Sequence, residues 1–186
     1  MRLVKKYYWI LLAAVFVVLD QISKLLVVKN IKQFDVMEVI PGFFNLAHVR
    51  NDGAAMGILD GHRWVFLTFT TIVLLVGFAF LFMGKIKSHF GIVAVTMVLS
   101  GGLGNMIDRV FLGEVIDFLS FVFWGYEFYV FNVADIFVCC GVFLLALYIL
   151  FSKDFDSTKE KEEPANESDC VFIRNIRRTI GFIFGR

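Results

Sequence analysis

Asp108, Arg109, Asp117 and Asp135 fall within one stretch, Gly101 to Asp135, which reads GGLGNMIDRVFLGEVIDFLSFVFWGYEFYVFNVAD and sets ionisable groups between two strongly apolar segments. A carboxylate so close to hydrocarbon is costly, so these residues are expected to face a protein interior or a wet cavity and are functional candidates by default. Asp117 follows the first apolar segment and Asp135 lies at the start of the second. If those segments are successive membrane spans, the two carboxyl groups return to the same membrane face and can meet. Two carboxyl groups brought together cannot both ionise cheaply, so they share a proton and titrate as a pair. One can then act as base toward a water while the other, protonated, donates to a carbonyl oxygen.

The composition says what must position such a pair. With 186 residues, 59% hydrophobic content and a mean hydropathy of +0.76, the chain reads as one small integral membrane domain. The formal net charge of +1 gives no concentrated basic face, so no nucleic-acid partner is expected. Cys139 and Cys140 lie in an apolar run and Cys170 in a polar tail, a spacing that suggests neither a disulfide framework nor a thiolate metal site; the first two read as packing residues. His48, His62 and His89 lack the H-E-x-x-H spacing of a zinc helix, so no metal and no cofactor is expected.

A span needs roughly 20 apolar residues, and four are expected, at about residues 7–28, 64–83, 90–110 and 131–151. The first follows Arg2, Lys5 and Lys6 and could be mistaken for a secretory signal peptide. It has no A-x-A-like cleavage site and continues as DQISKLLVV, which still fits a helix. Asp20 and Lys24 then share a helical face, either as a local ion pair or as support for a site. Residues 29–63 form a mixed outer loop in which Pro41-Gly42 separates FDVMEVI from FFNLAHV, two strand-favouring runs that fit a small hairpin outside the membrane. Asn51 to Gly57 (NDGAAMG) is read as a plain loop or as a tight backbone feature beside a site. The GG-x-G of residues 101–104 lets helices approach closely, which does not account for Asn105, Asp108 and Arg109 at the same spot. FLSFVFWGYEFYVF, between the third and fourth spans, is expected to lie at the lipid headgroup level.

Arg2, Lys5 and Lys6, then Lys85 and Lys87, then Lys153, Lys159 and Lys161 fall on one side of a four-span chain, which predicts cytoplasmic termini. The first loop also holds Lys29, Lys32, Arg50 and Arg63, accompanied by Asp35, Glu38, Asp52 and Asp60. In this orientation Asp20, Asn51, Asp117 and Asp135 collect at the outer face. Residues 153–186 form a charged cytoplasmic tail, without periodic apolar residues at first and ending in VFIRNIRRTIGFIFGR. That basic amphipathic end either lies on the anionic leaflet or dangles.

DQISK (20–24), NDGAAMG (51–57), GGLGNMIDR (101–109), VIDF (115–118) and FNVAD (131–135), in this order across four spans, resemble the bacterial lipoprotein signal peptidase family, signal peptidase II, over about residues 5–150. Any one of these motifs is weak alone; five in order are specific. The D-T/S-G setting common in soluble aspartic proteases is absent, so a different scaffold is implied. The resemblance implies a four-helix membrane aspartic endopeptidase, otherwise all-α, with a small extracytoplasmic β cradle and a short mobile helix in the first outer loop. It would cleave prolipoproteins on the amino side of a diacylglyceryl-modified cysteine, in the bacterial cytoplasmic membrane. By motif position it implies Asp117 and Asp135 as the catalytic pair. Asn51, Asn105, Arg109 and Asn132 would bind substrate or position the aspartates, and Asp20, Lys24, Gly53, Gly104 and Asp108 would be supporting residues. Membrane lipids and globomycin-type cyclic peptide inhibitors are the other partners it implies.

The rival reading is a small ion- or proton-translocating membrane protein, since intramembrane Asp and Arg residues also mark transport pathways. Against it, the charges gather at one face and no second set continues across the membrane. A purely structural four-helix protein would explain the glycines and aromatics but leave the paired acids unexplained.

Overall fold

The computed structural model describes residues 2–53 and 62–151. In order along the chain it contains α1 (Arg2–Asn30), β1 (Val36–Ile40), β2 (Phe44–Asn51), α2 (Arg63–Phe82), α3 (His89–Phe111), β3 (Val115–Phe123), β4 (Tyr126–Glu127) and α4 (Val133–Phe151). All four helices are long and apolar enough to cross a membrane, α1 over Tyr7–Asn30. Two compact units emerge, Met1–Leu145 and Ala146–Arg186. The second is described only over the last residues of α4, and the charged tail, 153–186, lies outside the described residues. So do residues 54–61, part of the loop in which the resemblance implies a short helix.

Helix α3 is the central element of the first unit. Its most apolar window is 44% buried, against 11% for α2 and 17% for α1 and α4. Small residues on α3 and α4 explain this position. A side chain at Gly101 would collide with the Ala134 carbonyl and Val138 on α4, one at Gly104 would strike the Asp20 carboxylate on α1, and one at Gly141 would meet the Ala94 carbonyl on α3. Trp9, Leu74, Leu81, Val95 and Leu99 then close a core between α1, α2 and α3. Helix α2 stops because Gly84 enters the left-handed region at φ 64°. There the Lys85 N–H bonds the Phe80 carbonyl and the Gly84 N–H the Leu81 carbonyl, a Schellman end.

The β structure corrects the expectation of an otherwise all-α chain whose cradle is confined to the first loop. The strands run β1-β2-β3-β4 in one antiparallel order, and only β1 and β2 come from residues 29–63. The other two come from the segment between α3 and α4, expected only to lie at the headgroups. VIDFLSFVF is rich in β-branched and aromatic residues, and it pairs with β2 from Phe44↔Phe121 to Asn51↔Val115. Trp124 and Gly125, at φ 48° and 81°, make the tight turn into β4. Val27, Ile31 and Phe118 bury themselves between the end of α1 and the sheet, with Val133 packed against them. The sheet is thereby fixed to the ends of α1, α3 and α4. Between Leu46 and Val49 the β2–β3 register shifts, and beyond this irregularity Asp117 stands opposite Val49.

Candidate active site

Asp135 owes its place to the way α4 begins. Asn132 is the N-cap: its side-chain oxygen accepts the Asp135 backbone N–H at 3.0 Å, and Asp135 Oδ2 accepts the Asn132 backbone N–H at 3.1 Å. This is a capping box with an aspartate in the position usually held by Glu or Gln. The Ala134 N–H, another donor that a helix start leaves without a partner, goes to Asp20 Oδ1 at 2.9 Å. The sequence FNVAD therefore specifies a helix start and a fixed carboxylate together.

Asp117 arrives on β3 and is 3% exposed. Its Oδ2 accepts Asn51 Nδ2 at 2.8 Å, and its Oδ1 accepts Asn132 Nδ2 at 2.7 Å. Asp135 Oδ1 accepts Asn105 Nδ2 at 2.7 Å, so every carboxylate oxygen of the pair has an N–H donor. Burial pushes the Asp117 carboxyl up to about 6; the bond from Asn51 opposes this, the charge of Asp135 adds to it, and Asn132 and Lys24 oppose it. A carboxyl so placed holds a proton that an ordinary surface aspartate would have lost.

The two acids line one cavity of about 260 Å³ with Asn51, Asn105 and Arg109. Arg109 Nη2 donates to the Gly53 carbonyl at 3.0 Å, and its guanidinium lies over the Phe66 ring at 4.8 Å. The Gly53 N–H in turn bonds Asn51 Oδ1 at 3.0 Å, which turns the Asn51 amide so that its nitrogen faces Asp117. Asn51-Asp52-Gly53 thus forms a tight backbone feature beside the acids, the second of the two readings open at the sequence level; residues 54–57 of that run lie outside the described residues.

Behind the cavity lies a buried charge cluster. Lys24, 1% exposed, reaches Asp20 at 2.9 Å, Asp108 at 2.8 Å and Asn105 Oδ1 at 3.0 Å. Asp108 Oδ2 also accepts the backbone N–H of Ile116, the residue before Asp117, at 3.3 Å. The Asp20–Lys24 pair is therefore both a local ion pair and part of the support for the acids.

Four participants carried no usable sequence signal or were read otherwise. Gln21 bonds Asp20, the Gly104 carbonyl and Asp108, and its place inside DQISK was the one available hint. Phe66 and Tyr129 line the cavity from segments that read only as apolar or aromatic. Cys139, read with Cys140 as a packing residue, is exposed like its neighbour and lines the cavity one turn beyond Asp135. The pattern that places Asp135 on the inner face of α4 places residue 139 there too.

Residues 12–151 match the family model described as signal peptidase (SPase) II. The lipoprotein signal peptidases of Staphylococcus aureus strains RF122 and MRSA252 are each 40% identical over 162 residues, covering 85% of this chain and 98% of theirs. Two solved structures described as a bacterial membrane enzyme, at 2.3 and 1.9 Å resolution, superpose with TM-scores of 0.71 and 0.70 at 37% and 38% identity. They cover 86% and 78% of this chain and 94% of each of their own.

Proposed function

The chain belongs to the signal peptidase II family of membrane proteases, which remove signal peptides from prolipoproteins, and we propose that Asp117 and Asp135 are its catalytic dyad. The observation that carries this reading is that the two acids line one cavity with N–H donors on all of their oxygens. Pairs of acids whose environments hold them in different protonation states are how one site supplies both an acid and a base.

In this mechanism Asp117, whose hold on a proton burial strengthens, carries the proton that the pair shares and hydrogen-bonds the oxygen of the scissile carbonyl. Asp135, in the first turn of α4, acts as the base and accepts a proton from the attacking water. As the water oxygen bonds to the carbonyl carbon, the Asp117 proton passes to the carbonyl oxygen and a neutral gem-diol forms. Asp135 then returns its proton to the amide nitrogen as the C–N bond breaks, and Asp117 recovers a proton from the gem-diol hydroxyl. The products are the carboxyl end of the signal peptide and the amino group of a diacylglyceryl-modified cysteine, and the dyad is restored. Asn51, Asn105 and Asn132 position the acids, and Arg109 meets the substrate backbone. Asp20, Lys24, Gly53, Gly104 and Asp108 support this arrangement from behind.

The placement of the acids suits such a substrate. Its acyl chains stay in the bilayer, so the scissile bond lies at the membrane surface, where Asp117 and Asp135 sit between the ends of α3 and α4. The dyad faces outward, both termini are cytoplasmic, residues 1–152 suffice for catalysis, and residues 153–186 form the tail. Globomycin-type cyclic peptides would compete for the cavity. The rival reading, ion translocation, is not favoured by a family of peptidases. The decisive experiment is cleavage of a diacylglyceryl-modified prolipoprotein by the purified protein, with the unmodified precursor as control. Equal cleavage of both, or of neither, would overturn the substrate assignment.

A further inference from the structure

We propose that Lys24 is a positioning residue for the dyad: its buried ammonium, shared among Asp20, Asp108 and Asn105, fixes the Asn105 amide with its nitrogen toward Asp135. This deepens the reading of Asp117 and Asp135 as catalytic and rests on it.

An ammonium carries three hydrogens and accepts nothing. Lys24 Nζ faces three acceptors, Asp20 Oδ2 at 2.9 Å, Asp108 Oδ2 at 2.8 Å and Asn105 Oδ1 at 3.0 Å, so every hydrogen has a partner. The third bond matters for chemistry. An asparagine amide can sit either way round, and its neighbours decide which end points where. With its oxygen held by Lys24, and also bonded by Asn132 Nδ2 at 3.1 Å, Asn105 must offer its nitrogen to Asp135 Oδ1, at 2.7 Å.

Without the ammonium only Asn132 Nδ2 still holds the Asn105 oxygen, against the pull of two unpaired carboxylates on its nitrogen. Asp20 and Asp108 would be buried carboxylates lacking their cation, left with Gln21 Nε2 and the Ala134 and Ile116 N–H groups, and their uncompensated charge would attract the Asn105 NH2 group. Drawn toward them, the amide would turn its oxygen to Asp135, where two acceptors would face each other in place of a hydrogen bond. The base would lose the donor that orients it. Glutamine at position 24 fails in the same way: its two amide hydrogens are taken by the two carboxylates, which leaves its oxygen toward Asn105. Only a group with three donors serves all three acceptors.

The test is a cycle of Lys24→Gln, Lys24→Met, Asn105→Ala and their combinations, in full-length protein purified in detergent and assayed on diacylglyceryl-modified prolipoprotein. A hydrogen bond to a charged group is worth about 1.5–3 kcal/mol, so each Lys24 change should lower kcat about 10- to 100-fold. KM should stay within about twofold, since Lys24 does not reach the substrate. Added to Asn105→Ala, either change should cost little more, because Lys24 acts through that amide. Lys24→Gln, which satisfies both carboxylates, carries the test where Lys24→Met does not fold. Folded Lys24→Gln protein with parental kcat, or losses that multiply with Asn105→Ala, would overturn the proposal. Failure of the dyad itself shows separately, as turnover by folded Asp135→Asn protein.

Discussion

Asn132 Nδ2 lies 2.7 Å from Asp117 Oδ1, while the oxygen of the same amide accepts the backbone N–H of Asp135 at 3.0 Å. One fully buried side chain thus ties a strand-borne acid to a helix-borne one. The backbone N–H has no alternative role, so it fixes which end of the amide faces it. Asn132 must then present a donor to Asp117.

The first prediction follows from a pair that works as a unit. Replacing Asp117 or Asp135 with Asn keeps the shape but ends cycling between acid and base, so each single change should lower turnover by about 10⁴-fold or more. The double variant should be little worse than either. If a carboxylate activates the attacking water, as proposed, EDTA should leave the parent rate unchanged. Near-parental cleavage by folded Asp117→Asn protein, or reversible loss on chelation, would show the dyad to be wrong.

A second prediction concerns pH and stability. The folded-state value of Asp117, about 6, lies above the usual 3.8 of an aspartate, so the folded protein holds this proton after the unfolded chain has lost it. The associated stability is present below about pH 4 and is lost as pH rises to about 6. Above that, the buried charge costs on the order of 2–3 kcal/mol. Asp117→Asn carries no such charge. It should unfold later than the parent at pH 8 and alongside it at pH 4, in thermal melts of detergent-solubilised protein. A gap independent of pH would mean that Asp117 titrates normally.

Much of this site was legible in the sequence because its chemistry is local. FNVAD encodes a helix start and an acid together, and Asp20 and Lys24 meet at i and i+4. What was not legible depends on long-range pairing. VIDFLSFVF reads as an aromatic stretch until β2 is beside it, with Asn51 opposite Val115, and only then is it a strand that carries Asp117. Lys24 meets Asn105 and Asp108 across two helices, and no periodicity reveals which acids a buried lysine will find.

The glycines of α3 separate close approach from simple smallness, which gives a third prediction. A methyl group at Gly104 would press on the Asp20 carboxylate and come within 3.3 Å of Ala134 Cβ. Overpacking of this kind costs about 1–3 kcal/mol, and here it would also displace Asp20 from Lys24. At Gly102 the nearest atom is Thr70 Cγ2 at 3.5 Å, an ordinary contact. Gly102→Ala should therefore be neutral or stabilising by up to about 1 kcal/mol through helix propensity. Melting the two variants side by side checks the pair, and equal losses would refute the assigned geometry.

The last prediction concerns orientation, on which the substrate reading depends. The loop with Lys85 and Lys87 joins α2 to α3 at the ends remote from the sheet, because α2 leads away from Arg63 and α3 returns to Phe111. Basic residues in short loops favour the cytoplasmic side, so the sheet, Asp117 and Asp135 should face outward. Lys29, Lys32, Arg50 and Arg63 sit at the sheet end and weaken this bias, but Asp35, Glu38, Asp52 and Asp60 accompany them and Arg63 lies over the Trp64 ring at 5.0 Å. Reporter fusions should place the Lys85–Lys87 loop and residue 160 in the cytoplasm and Asp35 outside. An Asp35 reporter found in the cytoplasm would put the dyad on the opposite face from a lipid-modified precursor that has already crossed the membrane, and no adjustment of the site chemistry would rescue the assignment.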